Sequence, residues 1–366
     1  MAADVALRHW LRLTLVPGVG GESRRQLLKA FGLPDAIFAA GGSALRAVIG
    51  AALAERLLGH DCERDIDAAL EWADQPGNNI VTLADAAYPQ TLLAATDPPV
   101  LLYAKGQPQF LNRPGLAIVG SRNATRQGEA TAEAFAAALS GAGLTIVSGL
   151  ALGIDAAAHK GALTGRGSTI AVIGTGADRI YPSRNEALAR EISARGVIVS
   201  EFPLGTPAIA ANFPRRNRLI AGLSRGCLVV EAAERSGSLI TARLAADGGL
   251  DVFAIPGSIH SPLSKGCHKL IKQGAKLVES AQDILEELRW EAIVAAAPAA
   301  AAQPDDPEAA RLLEILGYHP CDLDTLAART GLTAEQLLAM LLPLELEGHV
   351  AQLPGGRYQR IPQSIA

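Results

Sequence analysis

The sequence predicts an α/β fold built on a doubly wound, mainly parallel sheet, and two observations carry this prediction. Between residues 115 and 290, short β-rich runs alternate with amphipathic helical stretches, and such alternation requires right-handed crossovers between parallel strands. The runs are almost continuously apolar, as expected for strands buried on both faces. We therefore expect a Rossmann-like domain, flanked by a small helical domain at the N-terminus and a winged-helix domain at the C-terminus.

Residues 1–75 are predicted to form the helical domain, with helix-hairpin-helix or SAM-like character. Apolar residues recur at helical spacing in three stretches, Leu7–Leu15, Gln26–Phe31 and Asp65–Trp72. The turn Val16-Pro17-Gly18-Val19-Gly20 is typical of a helix-hairpin-helix, whose glycine-rich turn offers backbone N–H groups to a DNA phosphate. Similar hairpins also occur purely as packing elements, so we expect at most an accessory contact with DNA here.

Residues 76–290 are predicted to form the Rossmann-like domain. Its first part, residues 76–114, is an extended lead-in that is rich in proline and turn signals. The predicted strands are Leu116–Val119, Thr145–Val147, Thr169–Ile173, Val197–Val199, Cys227–Val230, Asp251–Ile255 and Lys276–Val278. The predicted helices are Thr125–Ser140, Ile154–Leu163, Asn185–Ala194 and Leu239–Ala246.

Residues 291–307 are predicted to be an Ala/Pro linker, and residues 308–366 a winged-helix-like domain. The pattern of this last unit is Glu308–Leu316, Leu323–Thr330 and Ala334–Glu347 as helices, then Val350–Leu353, Gly355-Gly356 and Arg357–Ile361 as a hairpin. The third helix of such folds often enters the DNA major groove, but here it has three Glu and no Lys or Arg, and Pro343 interrupts it. We therefore expect a protein-contact or regulatory module.

The composition excludes several classes of protein. The chain has 366 residues, of which 49% are hydrophobic and 19% charged, so it can bury a sizeable core and is not disordered. It has no apolar run of about 20 residues and no signal-peptide pattern, so we expect neither a membrane span nor export. Four widely spaced cysteines favour the cytoplasm over a disulfide scaffold or a zinc ribbon. Because the net charge is −4, nucleic-acid binding would need a local basic patch.

Loops rich in glycine and hydroxyl residues follow the predicted strands, where ligands bind in an open parallel sheet. They are Gly120-Ser121-Arg122, Ser148-Gly149-Leu150, Gly174-Thr175-Gly176, Ser236-Gly237-Ser238 and Pro256-Gly257-Ser258. Glycine at one such loop can simply serve a tight turn, but five loops on one rim favour an anionic ligand. The chain lacks a P-loop motif, and Arg179 stands where a dinucleotide fingerprint would have its third glycine.

A basic stretch follows one of these loops. Between Pro203 and Val230 there are four Arg and no acidic residue. Arginine forks bind phosphate oxygens through paired hydrogen bonds, and Phe213 beside them could stack on a base. The alternative is that Phe213 belongs to the core and the arginines form a solvated helix face. Arg122, at a separate strand end, would extend the same positive rim.

The sequence shows no catalytic constellation and no metal or cofactor site. Asp155 and His159 stand four apart on one predicted helix, but such an Asp more often caps a helix. Glu201 and Glu231 end two strands without an identifiable third cation ligand. His260, Cys267 and His268 do not have zinc-site spacing, and no Gly-x-Ser-x-Gly elbow is present.

A series of motifs carries a resemblance that runs from about residue 8 to residue 360. They are Tyr88-Pro89, Asp97-Pro98-Pro99, Leu102-Tyr103, Ile118-Val119-Gly120-Ser121-Arg122, Ser148-Gly149-Leu150-Ala151 with Gly153-Ile154-Asp155 and His159, Tyr181-Pro182, Phe213-Pro214 with Arg216-Asn217-Arg218, Glu231-Ala232, and Ser236-Gly237-Ser238-Leu239-Ile240-Thr241. With these motifs in this order, the chain resembles the Smf/DprA family of DNA-processing proteins.

The resemblance implies a cytoplasmic, non-enzymatic protein that binds and protects incoming single-stranded DNA. It further implies a role in loading the RecA recombinase during natural transformation, and a homodimer formed through the Rossmann-like domain. The residues predicted to contact DNA are Gly120, Ser121, Arg122, Gly149, Phe213, Arg215, Arg216, Asn217, Arg218, Ser238 and Thr241.

Two other functions stay open from the sequence. Similar domains occur in nucleotide phosphoribohydrolases, whose Pro-Gly-Gly-x-Gly-Thr-x-x-Glu loop is replaced here by Ala233-Glu234-Arg235-Ser236-Gly237-Ser238, without the Glu of that loop. Release of base from nucleoside monophosphates would identify such an enzyme. A pure scaffold would bind no oligonucleotide at all.

Overall fold

The chain begins with a bundle of short helices. In this computed structural model the described residues are 2–95, 97–290, 306–317, 320–347, 349–353 and 356–361. The first helices are α1 (Ala2–Leu15), α2 (Gly21–Phe31), α3 (Pro34–Ala39), α4 (Gly41–Ile49), α5 (Ala51–Gly59) and α6 (Glu63–Ala73). Their apolar faces enclose Leu13, Leu27 and Leu45, all fully buried. The predicted helical unit at the N-terminus is therefore present.

The part of the chain that the structure describes after this bundle forms a nine-stranded sheet. Its strands are β1 (Asn78–Thr82), β2 (Leu101–Gly106), β3 (Gly115–Val119), β4 (Thr145–Ser148), β5 (Thr169–Val172), β6 (Val197–Ser200), β7 (Gly226–Val229), β8 (Asp251–Ala254) and β9 (Lys276–Leu277). They lie in the order β1-β2-β6-β5-β4-β3-β7-β8-β9. The seven neighbouring strands β6-β5-β4-β3-β7-β8-β9 all pair in parallel. This confirms the predicted doubly wound, mainly parallel sheet.

The sheet extends further than the sequence predicts. The lead-in of residues 76–114, expected to be extended and rich in turns, supplies β1 and β2. These two strands pair antiparallel with each other, and β2 pairs antiparallel with β6. Trp72 at the end of α6 packs edge-on against Tyr103 of β2, with ring centroids 5.8 Å apart. The helical bundle is thus anchored on the antiparallel end of the sheet.

Helices cover both faces of the sheet. They are α7 (Gln90–Leu93), α8 (Arg126–Gly141), α9 (Ile154–Thr164), α10 (Glu186–Arg195), α11 (Asn212–Gly222), α12 (Ser238–Asp247), α13 (Lys265–Lys272) and α14 (Ala281–Glu287), with 3₁₀ turns at Pro108–Asn112, Ser183–Asn185 and Pro262–Ser264. Alternate residues of each strand point to opposite faces, so Val147 packs with the α11 side and Ile146 with the α8 side.

The order of the parallel strands reverses between β3 and β7. The chain runs outward from β3 through β4 and β5 to β6, then crosses back to β7 and continues outward through β8 to β9. At such a switch point the two connecting segments leave in opposite directions and open a crevice beyond the carboxyl ends of the strands. The fold therefore predicts a ligand site next to Val119 and Val229.

The C-terminal unit has the predicted winged-helix elements. Its described elements are α15 (Pro307–Leu316), β10 (Cys321–Asp322), α16 (Leu323–Thr330), α17 (Ala334–Leu346), β11 (Val350–Leu353) and β12 (Arg357–Arg360). The strands lie in the order β10-β12-β11. Pro343 does not end α17, which continues through it to Leu346. The predicted linker residues 291–305, and Gly355 at the hairpin tip, lie outside the described residues.

Candidate nucleic-acid interface

An open cleft of about 680 Å³ occupies the switch point between β3 and β7. It brings together loops and helix starts that are far apart in the sequence. Eight of the residues predicted to contact DNA line it, namely Gly120, Ser121, Arg122, Phe213, Arg216, Asn217, Ser238 and Thr241. The other three, Gly149, Arg215 and Arg218, lie elsewhere.

The charge of the cleft is positive. Among the described residues that line it, Arg122, Arg216 and Arg235 carry positive charge and Asp155 is the only carboxylate. Arg122 and Arg235 are exposed, whereas Arg216 forms the floor with only 5% of its surface exposed. Burial, reinforced by the nearby Arg122, lowers the pKa of Arg216 to about 10, so its guanidinium stays charged at neutral pH. The cleft is therefore suited to an anion.

Arg216 is fixed by backbone carbonyls. Its Nη1 donates hydrogen bonds to the carbonyl oxygens of Gly149, at 2.6 Å, and Val172, while its Nε donates to Oδ1 of Asn217 at 3.1 Å. A side chain at position 149 would overlap the guanidinium, so only glycine lets Arg216 reach this position. Gly149 thus positions a cleft residue and does not itself line the cleft.

A buried polar network holds the loop after β4 beside Arg216. Oδ2 of Asp155 accepts hydrogen bonds from the backbone N–H groups of Gly149 and Ala151, at 3.1 and 3.4 Å. Nε2 of His159 accepts one from Leu150 N–H at 3.2 Å, and Nδ1 lies 2.7 Å from Oγ1 of Thr169. These bonds give Asp155 and His159 a structural role in shaping the loop.

Burial favours the neutral form of both acid–base groups in this network. It raises the pKa of Asp155, against the opposing effect of the Arg216 charge. It lowers the pKa of His159 to about 3, and Arg216 adds to this effect. His159 is therefore neutral at physiological pH, as its role as a hydrogen-bond acceptor for Leu150 requires.

Two aromatic rings stand at the mouth of the cleft. Phe213, at the start of α11, is half-buried, and its ring centroid lies 5.6 Å from that of Tyr181, whose surface is 49% exposed. The Arg122 guanidinium lies 5.6 Å from the centre of the Phe213 ring. A Cβ atom at Gly174 would lie 3.0 Å from this ring, so the ring fits closely against glycine backbone. Phe213 is therefore partly packed against its neighbours and partly exposed, and it presents an aromatic face beside cationic groups.

The start of α12 opens into the same cleft. Its first turn has no acidic residue and no side-chain cap, and Ser236 and Ser238 bring their hydroxyls within 2.7 Å of each other there. By contrast, the carboxylate of Glu231 accepts hydrogen bonds from N–H and Oγ1 of Thr125, at 2.9 and 2.6 Å, and so covers the start of α8. The α12 N-terminus therefore presents its partial positive charge to the cleft with no carboxylate in its first turn.

Arg215 and Arg218 lie on the opposite side of α11 from the cleft. The lack of acidic residues in the basic stretch predicts that no carboxylate balances its arginines, and this prediction is wrong for both. Arg218 forms ion pairs with Glu201 and with Asp97, the latter at 3.2 Å, and Arg215 Nε lies 3.7 Å from Glu201 Oε1. Glu201, a carboxylate at the end of a strand, is thus paired with arginines.

The structure adds residues that the sequence reasoning did not select. Arg235, Asn123 and Tyr181 line the cleft beside the predicted residues. The Tyr181-Pro182 motif could have pointed to Tyr181. No sequence pattern points to Arg235, which stands alone between Glu234 and Ser236. In the described residues no three His, Cys, Asp or Glu side chains converge as a possible metal site. None of the described helices has the length and apolar character of a membrane span.

The fold and the cleft define a class of protein, namely a doubly wound α/β domain with a cationic, aromatic-lined crevice, followed by a winged helix. Comparison with known families agrees with this class. Residues 79–289 match the family described as DNA recombination-mediator protein A, and residues 296–356 match the DprA winged helix domain. The chain belongs to the DNA recombination-mediator protein A family, which confirms the predicted resemblance.

Individual relatives cover most of the chain. Protein Smf of Escherichia coli is 44% identical over 302 residues, which span 80% of each protein. The X-ray structure of DprA from Streptococcus pneumoniae has a TM-score of 0.68 and 40% identity, and covers 76% of this chain and 97% of that one. A third relative is DNA processing protein A from Helicobacter pylori, whose single-stranded DNA binding mode has been studied structurally. Its structure has a TM-score of 0.53 and 32% identity, and the match covers 57% of this chain and 95% of that one.

Proposed function

We propose that this protein binds single-stranded DNA in the cleft at the β3–β7 switch point. The observation that carries the proposal is the combination of Arg122, Arg216 and Arg235 with the Phe213–Tyr181 aromatic pair in one open cleft. Proteins that bind single strands without sequence preference combine a positive groove for the backbone with aromatic rings for the bases. The exposed Arg122 and Arg235 and the α12 N-terminus would bind phosphates, and Phe213 would stack on a base. Binding of single-stranded DNA by the Helicobacter pylori relative supports this assignment.

The proposed binding is not coupled to catalysis. The one carboxylate among the described cleft residues, Asp155, is buried and accepts two backbone hydrogen bonds. It is therefore poorly placed to act as the nucleophile or general base of a phosphoribohydrolase, and neither Glu231 nor Glu234, which follow β7, lines the cleft. This supports a binding function over the nucleotide-cleaving alternative.

The wider role that we propose follows from family membership. It is protection of incoming single-stranded DNA and loading of RecA during natural transformation, in the cytoplasm. We also propose a homodimer through the Rossmann-like domain, supported by the edge strand β9, where Leu277 is 45% exposed. We also propose that the helical domain ends at residue 75, the Rossmann-like domain at residue 290 and the linker at residue 307.

The test is an anisotropy titration of a labelled oligothymidine and of a matched duplex at several salt concentrations. We expect tighter binding to the single strand than to the duplex. The logarithm of the binding constant should fall linearly with the logarithm of the salt concentration. Arg122→Gln should weaken binding, whereas Arg190→Gln, which removes an exposed arginine paired with Glu186 on α10, should leave it unchanged. Equal effects of the two variants, or release of base from nucleoside monophosphates, would contradict the proposal.

A further inference from the structure

A second, smaller cavity lies between the helical bundle and the far side of α11. Its volume is about 130 Å³. Four arginines line it, Arg24 and Arg25 from α2 and Arg215 and Arg218 from α11, together with the carboxylates of Asp97 and Glu201. Formal charges of +4 and −2 therefore meet around a space that is large enough for one small anion.

The two carboxylates are engaged mainly by two of the four arginines. Asp97 pairs with Arg25 and Arg218. Glu201, whose side chain is only 5% exposed, pairs with Arg218 through Oε2, while its Oε1 has no hydrogen-bond partner among the described residues. Arg24 donates from Nη2 to the backbone carbonyl of Thr14 at 2.5 Å, and its buried Nε has no hydrogen-bond partner among the described residues. Arg215 approaches Glu201 only to 3.7 Å, beyond hydrogen-bond distance. Two guanidinium groups thus retain donors for a further acceptor.

Arg24 and Arg215 also repel each other across this cavity. Burial and the Arg215 charge, against the opposing charge of Glu201, lower the pKa of Arg24 to about 10. The group is nevertheless protonated at neutral pH, so the repulsion persists in the folded protein. An anion between the two guanidinium groups would remove this unfavourable interaction.

We propose that this cavity binds one phosphate group of a DNA single strand that continues from the cleft across α11. The proposal rests on the proposed function of the cleft. Arg215 and Arg216 are neighbours in the chain, one facing the cavity and the other the cleft, and a helix with its side chains is about 10–12 Å across. A few nucleotides are enough to cover this distance. Arginine forks match the oxygens of a phosphate, which fits a site built from guanidinium groups.

The proposal predicts that the helical bundle affects binding only of strands long enough to reach the cavity. A short oligothymidine fills the cleft alone, whereas a longer one also reaches α2. The double variant Arg24→Gln/Arg25→Gln should bind the short strand normally and the long strand about tenfold more weakly. For the long strand the salt slope should fall by roughly 0.7 for each phosphate that the variant no longer neutralises. The control is Arg46→Gln, which removes an exposed arginine of the same bundle that lies 3.9 Å from Glu55.

A second measurement tests the cavity without DNA. Inorganic phosphate should raise the melting temperature of the unaltered protein above that in chloride of equal ionic strength, and Arg24→Gln should abolish this shift. If Arg24→Gln does not fold, Arg25→Gln and Arg24→Lys, which loses the fork but keeps the charge, take its place.

The outcomes separate this proposal from that for the cleft. Equal losses for short and long strands, no loss for the long strand, or no phosphate-dependent shift would overturn the cavity site. If the unaltered protein bound no oligonucleotide, the proposed function would fail. A phosphate shift that depends on Arg24 would then still support an anion site at the cavity, and its absence would overturn that site too.

Discussion

Replacement of Phe213 by alanine tests whether the aromatic ring at the mouth of the cleft contributes to binding. The ring is half-buried and contacts Tyr181 and Gly174, with the Arg122 guanidinium 5.6 Å from its centre. Its exposed part is large enough to stack on one base. Alanine removes this stacking surface and leaves the phosphate-binding groups Arg122, Arg235 and the α12 N-terminus in place.

The expected loss follows from the energy of one stacked base. Stacking on an aromatic side chain is worth about 1–3 kcal/mol per base, which corresponds to a roughly 5- to 150-fold loss of affinity. Because Phe213 offers one half-exposed ring, we expect about 2 kcal/mol, or roughly thirtyfold. The salt slope should stay nearly constant, because the ring releases no counterions from DNA.

Phe38 provides a matched control on the helical bundle. It is also half-buried, its ring lies 5.7 Å from that of His9, and the Arg12 guanidinium lies 4.4 Å from its centre. Phe38→Ala removes the same atoms from a similar environment that lies outside both cavities. It should lower the free energy of unfolding about as much as Phe213→Ala does, without changing the affinity for DNA.

The assay is an anisotropy titration of labelled oligothymidine at several salt concentrations, combined with urea denaturation of each variant. If Phe213→Ala binds as tightly as the unaltered protein once it is folded, Phe213 is a packing residue only. Base stacking by Phe213 is also contradicted if Phe38→Ala loses affinity to the same extent, or if Phe213→Ala reduces the salt slope as an arginine variant does.

Four further predictions follow from the cleft and the domain arrangement. Arg122→Gln and Arg235→Gln should each reduce the salt slope on single strands by roughly 0.7, and unchanged slopes would exclude phosphate contacts there. Arg216→Met should lower the free energy of unfolding by about 1–3 kcal/mol for each carbonyl left unpaired, measured by urea denaturation. His159 is stabilising in its neutral form, so its contribution is fully present well above pH 6.5. It falls by about 2 kcal/mol between pH 8 and pH 5, as the unfolded chain takes up the proton. His159→Gln should remove this part of the pH dependence. The raised pKa of Asp155 contributes to the pH dependence of both the unaltered protein and the variant. A chain ending at Trp290 should bind single strands within a few-fold of the full chain, because α17 carries no Lys or Arg, and a hundredfold loss by the folded truncated protein would contradict this.

The parallel part of the sheet was predictable because its strands are buried on both faces and read as short apolar runs. β3, β4, β5, β6 and β7 are all fully buried and lie where the runs predict them. β1 and β2 were not predictable in the same way. Their segment contains Pro89, Pro98 and Pro99, whose turn signals dominate the local pattern, and the pairing of β2 with β6 joins residues far apart in the chain.

The rim of the cleft was predictable from topology, because the carboxyl ends of parallel strands meet at one edge. This places Gly120, Ser121 and Arg122 opposite Ser238 without any knowledge of side-chain contacts. The interactions inside the cleft depend on contacts between distant residues. The bond from Arg216 to Gly149 joins positions 67 residues apart, and no local pattern indicates it.

The basic stretch shows most clearly why charge along a sequence differs from charge in a site. An α-helix turns by about 100° per residue, so residues three or four positions apart lie on the same face. In α11, Phe213, Arg216 and Asn217 therefore face the cleft, while Arg215 and Arg218 face the second cavity. Once the segment is assigned as a helix, this division can be derived from spacing alone. What cannot be derived is that Asp97, from the loop before β2, meets Arg218 there. One helix thus supplies two cationic surfaces, one largely free of carboxylates and one partly neutralised, and a strand crossing the helix would meet both.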